Sequence, residues 1–202
     1  MAWGDPAQHH IGWTFFRNSD WTFPIGIAQD YGYPIGIPMT YTDSVPLFAF
    51  VFKLFSSWLP VDFQYLGLFI LGSMMLNGIF GYKLTKLVTK KEWVSVVAST
   101  LFVLSPITHF RYVGHTSLGA HWLVLWGLWL ILRPHKKVQT GQWVALLLMC
   151  ILIHPYIFFM CGPLMLIDMA QLRFRDKIVS WKQVFASLGI QIASVIAVGY
   201  SI

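Results

Sequence analysis

The sequence predicts an all-α fold, a polytopic integral membrane protein whose first segment is an extended loop at the outer face. Composition is the first observation: 56% of the 202 residues are hydrophobic and only 11% are charged, against about 25% charged residues in soluble domains. The second is a series of apolar runs, each near the roughly 20 residues that a helix needs to cross a bilayer. The third is the placement of basic residues between those runs. A soluble fold cannot cover so much apolar surface, because much of any domain's surface stays in contact with water.

Basic residues set the predicted topology. Eleven of the fourteen Lys and Arg residues fall into three clusters between the apolar runs: Lys83, Lys86, Lys90 and Lys91; Arg133, Lys136 and Lys137; and Arg173, Arg175, Lys177 and Lys182. Short loops rich in Lys and Arg stay on the cytoplasmic side of a membrane, so the clusters indicate three inside loops. The net charge of +6 is therefore interpreted as a topology signal, and no nucleic-acid partner is expected.

Residues 1–62 predict an outer-face loop that contains a short helix lying in the membrane interface. The first 45 residues place Trp, Tyr, Pro, Gly and Asp in an order typical of turns, and they do not predict a span. An apolar stretch at about 46–59 is too short to cross. Its polar residues share one helical face, at offsets of three and four: Lys53, Ser56 and Ser57. That spacing indicates an interfacial helix, and an ordinary buried helix of the loop is the alternative.

Residues 63–202 predict a transmembrane helical bundle that is incomplete at both ends of the chain. The apolar runs place spans at 63–82, 93–108 and 117–132, and a last run from Val184 is still apolar at the final residue. An outside loop without a span ahead of it predicts that an upstream helix is missing. We therefore expect the sequence to be the N-terminal part of a larger protein.

Residues 143–172 are flanked by basic residues at both ends, so this stretch must cross the membrane twice or not at all. About thirty residues are too few for two full spans of about 20 residues each. The tripeptide His154-Pro155-Tyr156 lies in the middle, where proline removes a helix donor. The pattern predicts two short helices that meet near the outer face at this tripeptide. A single long tilted helix is the alternative.

Ionisable residues collect on the predicted outer side. Six of the seven histidines map there: His9, His10, His109, His115, His121 and His154. The seventh, His135, lies in a cytoplasmic basic cluster. Ionisable groups at membrane depth are costly and often mark function. Cys150 and Cys161 lie in apolar runs, which predicts packed thiols and no disulfide. His9 and His10 form a lone pair, too few for a metal site of three or four ligands, so no metal is indicated.

Four segments of the chain resemble, in the same order, the GT-C superfamily of polytopic glycosyltransferases, which use polyprenyl-phosphate sugars. They are residues 4–13 (GDPAQHHIGW), 41–47 (YTDSVPL), 111–115 (RYVGH) and 154–156 (HPY). The pattern is most similar to a bacterial branch of large GT-C-like membrane proteins. Topology and resemblance together imply a multi-pass protein of the bacterial inner (plasma) membrane with residues 1–62 on the outer face. The implied partners are the lipid bilayer and a polyprenyl-phosphate-linked sugar, and no cofactor is indicated.

The resemblance also implies site residues. In that superfamily an acidic residue just after the first span serves as general base, and by position this residue is Asp5, with Asp43 as the second candidate. A departing lipid phosphate needs a fixed cation, and the Arg fork matches phosphate geometry. Arg111 is therefore expected to bind the donor phosphate with help from His115. The remaining expected substrate contacts are Gln8, His9, His10, Trp13, His154 and Tyr156.

Structural alternatives and two other functional classes stay open. Asp5 precedes a proline and suits a turn, Arg111 can extend toward lipid headgroups from the end of its span, and the tripeptide at His154 can cap two helices. A transporter or flippase of lipid-linked sugars would place charged or broken-helix sites near the membrane midplane. A non-catalytic envelope assembly protein can share the fold, because fold does not fix function.

Overall fold

The structure is a computed structural model that describes residues 5–135, 139–175, 177 and 180–197, with the backbone alone for Asp5 and Pro6. Within these residues the fold is all-helical, as predicted, apart from one antiparallel pair of two-residue strands, β1 (Ile27–Ala28) and β2 (Ile37–Pro38). The α-helices are α1 (Asp5–Asn18), α2 (Pro46–Leu54), α3 (Leu66–Val88), α4 (Glu92–Val103), α5 (Pro106–Val113), α6 (Trp122–Leu132), α7 (Thr140–Ile153), α8 (Pro155–Ala170) and α9 (Trp181–Ala197). Cys150 and Cys161 are buried and free, as predicted.

Within the part of the chain that the structure describes, three helical runs are long and apolar enough to cross a membrane. They are Leu66–Val88, which is α3; Glu92–Val113, which joins α4 and α5; and Pro155–Arg175, which is α8 with the π-helical turn Gln171–Arg175. Their outward faces are apolar, as the large exposed side chains show: Leu71, Met75, Ile79, Val97, Leu101, Leu104, Phe159 and Leu166. Exposure of these faces to water costs roughly 25 cal/mol per Å² of apolar surface, and contact with the hydrocarbon of a membrane avoids this cost.

Helix α1 is a feature that the sequence did not predict, because residues 1–45 were interpreted as a turn-rich loop. Its buried positions are His9, Gly12, Trp13 and Phe16, a spacing of three, four and seven that places them on one helical face. A histidine on this face and the exposed apolar residues Ile11 and Phe15 outside it hide the periodicity. With 14 residues the helix is about 21 Å long, too short to cross a bilayer.

Helix α2 packs against α1, and the prediction of an interfacial polar face is wrong for Lys53. The Lys53 ammonium lies 4.0 Å from the ring centre of Phe16 and 4.7 Å from that of Trp21. It also donates a hydrogen bond of 2.7 Å to the carbonyl of Ser19, just beyond the end of α1. Ser56 accepts a hydrogen bond from Arg17. Lys53 therefore faces α1, while Val51, Leu54 and Phe55 are exposed, and the interfacial position of α2 stays a prediction.

Helices α3 to α6 form the next layer, with α3 packed on α4 and α6. Gly81 lets α4 approach, since an added Cβ would lie 2.6 Å from the ring of Phe102. The predicted span at 93–108 is divided into α4 and α5, because Pro106 begins a new helix after Ser105. The predicted span at 117–132 is shorter than expected: a 3-10 turn at Thr116–Gly119 precedes α6, which has 11 residues.

Helices α7 and α8 form an antiparallel hairpin that turns at His154. His154 ends α7 and is the N-cap of α8, and Pro155 occupies the first turn of α8, where a missing N–H costs nothing. The predicted break into two helices at this tripeptide is thus confirmed, and the alternative of one long tilted helix is wrong. The prediction that both helices are short is also wrong, since the run Pro155–Arg175 has 21 residues and is long enough to span. We call the two ends of this hairpin the His154 end and the Asp168 end, after the residues that lie there.

Candidate functional site

A cavity of about 670 Å³ opens at the His154 end. Its lining comes from α1, the segment before α2, α5 with the turn that follows it, and the start of α8: Gln8, Thr40, Tyr41, Asp43, Arg111, His115, Leu118, His154, Pro155 and Tyr156. Residues that the sequence analysis selected from four distant segments therefore share one cavity. Six of the predicted site residues are among them: Gln8, Asp43, Arg111, His115, His154 and Tyr156.

Asp43 reaches this cavity from a strained segment. Its φ is +58° and that of Val45 is +49°, left-handed values that Asp tolerates and a β-branched residue rarely adopts. Hydrogen bonds hold the segment in place. The Ser44 hydroxyl donates 2.9 Å to the carbonyl of His9, and the Tyr65 hydroxyl donates to the carbonyl of Ser44. Burial raises the pKa of Tyr65 well above its usual value, so its phenol remains a donor.

The two carboxylate oxygens of Asp43 have different surroundings. Oδ1 accepts a hydrogen bond from the hydroxyl of Ser117 and lies 3.2 Å from Nε2 of His154. Oδ2 has a more distant neighbour, Nε2 of His9, at 3.8 Å. The side chain is 15% exposed. Oδ1 is thus fixed by two partners, while Oδ2 keeps the capacity to accept a proton.

His154 both caps α8 and contacts Asp43. Its Nδ1 accepts a hydrogen bond of 3.1 Å from the backbone N–H of Tyr156, so that nitrogen carries no proton. The proton of the neutral ring must then be on Nε2, which lies 3.2 Å from Oδ1 of Asp43. Burial lowers the pKa of His154, although the Asp43 carboxylate partly opposes the shift. The ring is therefore neutral at pH 7 and orients the carboxylate.

Arg111 is the cation of the cavity. It lies in the last turn of α5, half-buried, and it lines the cavity together with Asp43. Among the described residues none accepts a hydrogen bond from its guanidinium. Its five N–H donors remain available to an anion.

Several predicted contacts lie elsewhere. The prediction for Trp13 is wrong: its ring is 1% exposed in the core, and its indole N–H donates 2.9 Å to the carbonyl of Phe63. His9 lies behind Asp43 and is fully buried, and His10 is on the exposed face of α1. The side chain of Asp5 lies outside the described part of the chain. Ser117 is a site residue that the sequence analysis missed, because a lone serine in a turn carries no pattern.

No metal centre is found among the described residues, where no group of three or more His, Cys, Asp or Glu side chains is arranged to hold an ion. A family model described as a domain of unknown function, DUF6311, matches residues 1–202. The chain belongs to this family. No curated protein and no solved structure matches the chain. Family membership therefore supplies no reaction, and the functional argument depends on the geometry of the cavity.

Proposed function

We propose that this protein is a polytopic membrane glycosyltransferase of the GT-C type, which transfers a sugar from a polyprenyl-phosphate donor to an acceptor hydroxyl at the outer face of the bacterial inner membrane. One observation carries the proposal: the carboxylate of Asp43 and the guanidinium of Arg111 line the same cavity of about 670 Å³. Transfer of this kind needs a proton acceptor and a fixed cation within reach of one substrate.

The placement in the membrane rests on the spans and the basic residues. Lys83 and Lys86 lie near the C-terminal end of α3, and Tyr65, which bonds the Asp43 segment, lies at its N-terminal end. The cavity and this basic cluster are therefore at opposite ends of a helix long enough to span. Because clustered Lys and Arg mark the cytoplasmic side, the cavity belongs to the outer side.

In the proposed reaction, the oxygen of the acceptor hydroxyl attacks the anomeric carbon of the donor sugar. The bond from that carbon to the phosphate oxygen breaks, and its electron pair leaves with the phosphate. The hydroxyl proton passes to Oδ2 of Asp43, the oxygen that Ser117 and His154 leave unoccupied. Attack opposite the leaving group inverts the anomeric centre, as in other single-displacement sugar transfers.

His9 supports the proton transfer from behind Asp43. Its Nδ1 is 3.4 Å from the carbonyl of Thr42, which can only accept, so Nδ1 carries the ring proton. Its Nε2 is bare, fully buried and without a hydrogen-bond partner among the described residues. That nitrogen is 3.8 Å from Oδ2. When Oδ2 takes up a proton, it can donate a hydrogen bond to Nε2, and the two atoms then move closer together. Protonated Asp43 is thereby stabilised.

Arg111 compensates the charge that develops on the departing phosphate. A guanidinium offers two parallel N–H groups to two phosphate oxygens, which fixes orientation as well as charge. His115 and Tyr156 line the same cavity and complete its polar wall. Asp43 therefore acts as the base on one side of the sugar, and Arg111 provides the cation on the other side.

The test is transfer of radiolabelled sugar from a polyprenyl-phosphate donor by purified variants with equal folded yield. Asp43→Asn keeps the left-handed conformation, which Asn also tolerates, but removes the proton acceptor, so turnover should fall by about 10²–10⁴-fold. Asp30→Asn, at an exposed carboxylate away from the cavity, is the matched control and should keep wild-type turnover. Arg111→Lys retains charge but loses the fork, so donor binding and turnover should both weaken.

Asp5→Asn belongs in the same assay, because Asp5 is the other candidate base. Loss of turnover in Asp5→Asn with near wild-type turnover in Asp43→Asn would reassign the base to Asp5. Near wild-type turnover in both variants would refute an enzyme with a carboxylate base in this segment. The proposal would then give way to a non-catalytic envelope assembly protein.

One observation favours a second candidate, a transporter or flippase of lipid-linked sugars. Asp168 is a carboxylate with 1% exposure inside Pro155–Arg175, a run long enough to span, and ionisable groups in spans often mark transport pathways. Sealed vesicles containing the protein and a labelled lipid-linked sugar distinguish the two functions. Movement of the label across the bilayer without a new glycosidic bond would support the transporter.

A further inference from the structure

A second acid–histidine pair lies at the Asp168 end, remote from the cavity. Asp168 is on α8, 13 residues after Pro155 and thus about 20 Å along the helix from the His154 end. Nε2 of His135, in the connection between α6 and α7, is 3.1 Å from Oδ1 of Asp168. The His135 side chain is 10% exposed and that of Asp168 is 1% exposed. Neither of these two atoms has a hydrogen-bond partner among the described residues.

The backbone decides which nitrogen of His135 carries the ring proton. Nδ1 of His135 is 2.9 Å from the carbonyl oxygen of Arg133. A carbonyl can only accept, so Nδ1 must be the donor of that bond. In a neutral imidazole the other nitrogen is then a bare acceptor. Nε2 therefore presents a lone pair to Asp168.

Two acceptors at 3.1 Å do not bond without a proton between them. An ionised Asp168 offers lone pairs, and so does Nε2 of a neutral His135. The other oxygen of Asp168, Oδ2, already accepts 2.7 Å from the indole N–H of Trp143 and cannot resolve the conflict. We propose that His135 and Asp168 form a proton-binding site. The pair binds one proton more than a neutral histidine and an ionised carboxylate hold together, and this proton links the α6–α7 connection to α8. This inference does not depend on the proposed transferase activity.

The surroundings favour the proton on His135. Arg133 is a charged group close to the pair: burial lowers its pKa, and the Asp168 carboxylate opposes that shift. Its guanidinium stacks 4.0 Å from the ring centre of Trp129 and donates 2.9 Å to the side chain of Gln142. Helix α7 contributes Gln142 and Trp143, which do not titrate. A nearby guanidinium stabilises the ionised carboxylate, so the shared proton rests on the imidazole.

The contrast with the cavity shows what the pair does. At the His154 end the capping N–H leaves the proton of a neutral ring on Nε2, so the contact of that nitrogen with Asp43 needs no extra proton. At the Asp168 end the carbonyl of Arg133 imposes the opposite arrangement. The contact at the His154 end therefore needs no further proton, whereas the contact at the Asp168 end is lost when the extra proton leaves. Because the folded pair binds that proton, its contribution to stability falls as pH rises.

The direct test is ¹⁵N NMR of histidine-labelled protein in detergent micelles, with ¹³C detection of the Asp168 carboxyl. The His135 signals are assigned by their absence from His135→Gln. At pH 7 both ring nitrogens of His135 should be protonated beside an ionised Asp168, and His154 in the same spectrum should be neutral with its proton on Nε2. A neutral His135 beside an ionised Asp168 at pH 7 would overturn the proposal.

The second test is Asp168→Asn, which should remove the need for the extra proton. The introduced amide nitrogen can donate to the bare Nε2 of His135, and its carbonyl can still accept from Trp143. The readout is amide hydrogen exchange of residues 140–143, corrected for intrinsic pH dependence. Protection in the wild type should fall about tenfold or more between pH 6 and pH 9. A fall of this size corresponds to the loss of one charge-assisted hydrogen bond. Protection in Asp168→Asn should stay flat.

Asp168→Ala controls for the loss of any partner, and its protection should be low at every pH. An Asp168→Asn variant that behaves like Asp168→Ala would mean that Nε2 carries a proton and donates, which contradicts the proposal. Equal pH dependence in the wild type and Asp168→Asn would also contradict it. The spectrum of the wild type decides the question independently if the variants fold poorly.

Discussion

Gly12 on α1 is the position where both the fold and the candidate site depend on the absence of a Cβ atom. An added Cβ there would overlap the hydroxyl oxygens of Thr42 and Ser44 and lie 2.5 Å from Cβ of Thr42. No rotation relieves the clash, because Thr42 and Ser44 are buried and hydrogen-bonded. Gly12→Ala must therefore push α1 away from the segment that carries Asp43.

Two opposing terms set the size of the effect. Overpacking a tight contact costs about 1–3 kcal/mol, and Ala in a helix gains about 1 kcal/mol over Gly. Gly72→Ala on α3 provides the matched control, since the same change there meets nothing within 4 Å. Gly72→Ala should raise stability by up to about 1 kcal/mol. The two variants should then differ by about 1–3 kcal/mol, or roughly 2–12 °C in melting temperature at about 2–4 °C per kcal/mol.

The assay is thermal unfolding in detergent, together with sugar transfer if the proposed activity is found. His9 lies one turn before Gly12 on the same face, so a displaced α1 also moves His9 from Asp43 and should lower turnover. Gly72→Ala should leave turnover unchanged. If Gly12→Ala stabilises the protein as much as Gly72→Ala does, the contact between α1 and the Asp43 segment is not tight, and the argument fails.

Three further predictions concern single side chains. Arg17 donates to Ser56, Leu59, Pro60 and Val61, so Arg17→Lys, which loses the fork, should cost about 1–3 kcal/mol in denaturant unfolding. Trp143→Phe removes the donor to buried Asp168 and should lower stability by a similar amount, measured by the same method. Burial lowers the pKa of Lys53 to about 8, against the attraction of Asp20. The unfolded state therefore binds more protons between pH 8 and pH 10.5, and wild-type stability should rise with pH there, by up to about 3 kcal/mol. Lys53→Met should lack this rise.

The all-helical fold and the turn at His154 were predictable because each rests on a local signal. Apolar runs between basic clusters indicate helices, and proline after a polar residue indicates where one helix ends and another begins. Convergence of Asp43, Arg111 and His154 was expected from their predicted position on one side of the membrane. Their distances could not be predicted, since these depend on how four separate elements pack.

The misses have physical reasons. Helix α1 was not predicted because the fully buried His9 interrupts its apolar face, while the apolar Ile11 and Phe15 lie on its exposed side. Lys53 was assigned to an exposed face because its charge suggested water, whereas two aromatic rings and a carbonyl solvate it. His135 was grouped with basic residues of a loop, although a buried carboxylate 33 residues later in the sequence is its partner. Such long-range pairs leave no trace in local sequence.

The wide sequence separation of the cavity walls has a consequence for how the chain folds during synthesis. The contacts of Arg17 and Lys53 join residues at most 44 apart, so α1 and α2 can associate early. Ser117, which donates a hydrogen bond to Asp43, is synthesised 74 residues after it. His154, the other neighbour of Asp43, is synthesised later still. At about 5–20 residues per second, the left-handed Asp43 segment waits several seconds for its partners. The cavity therefore forms after the contact between α1 and α2, and a ribosome that stalls after α6 would leave an N-terminal unit that is folded but lacks the His154 side of its site.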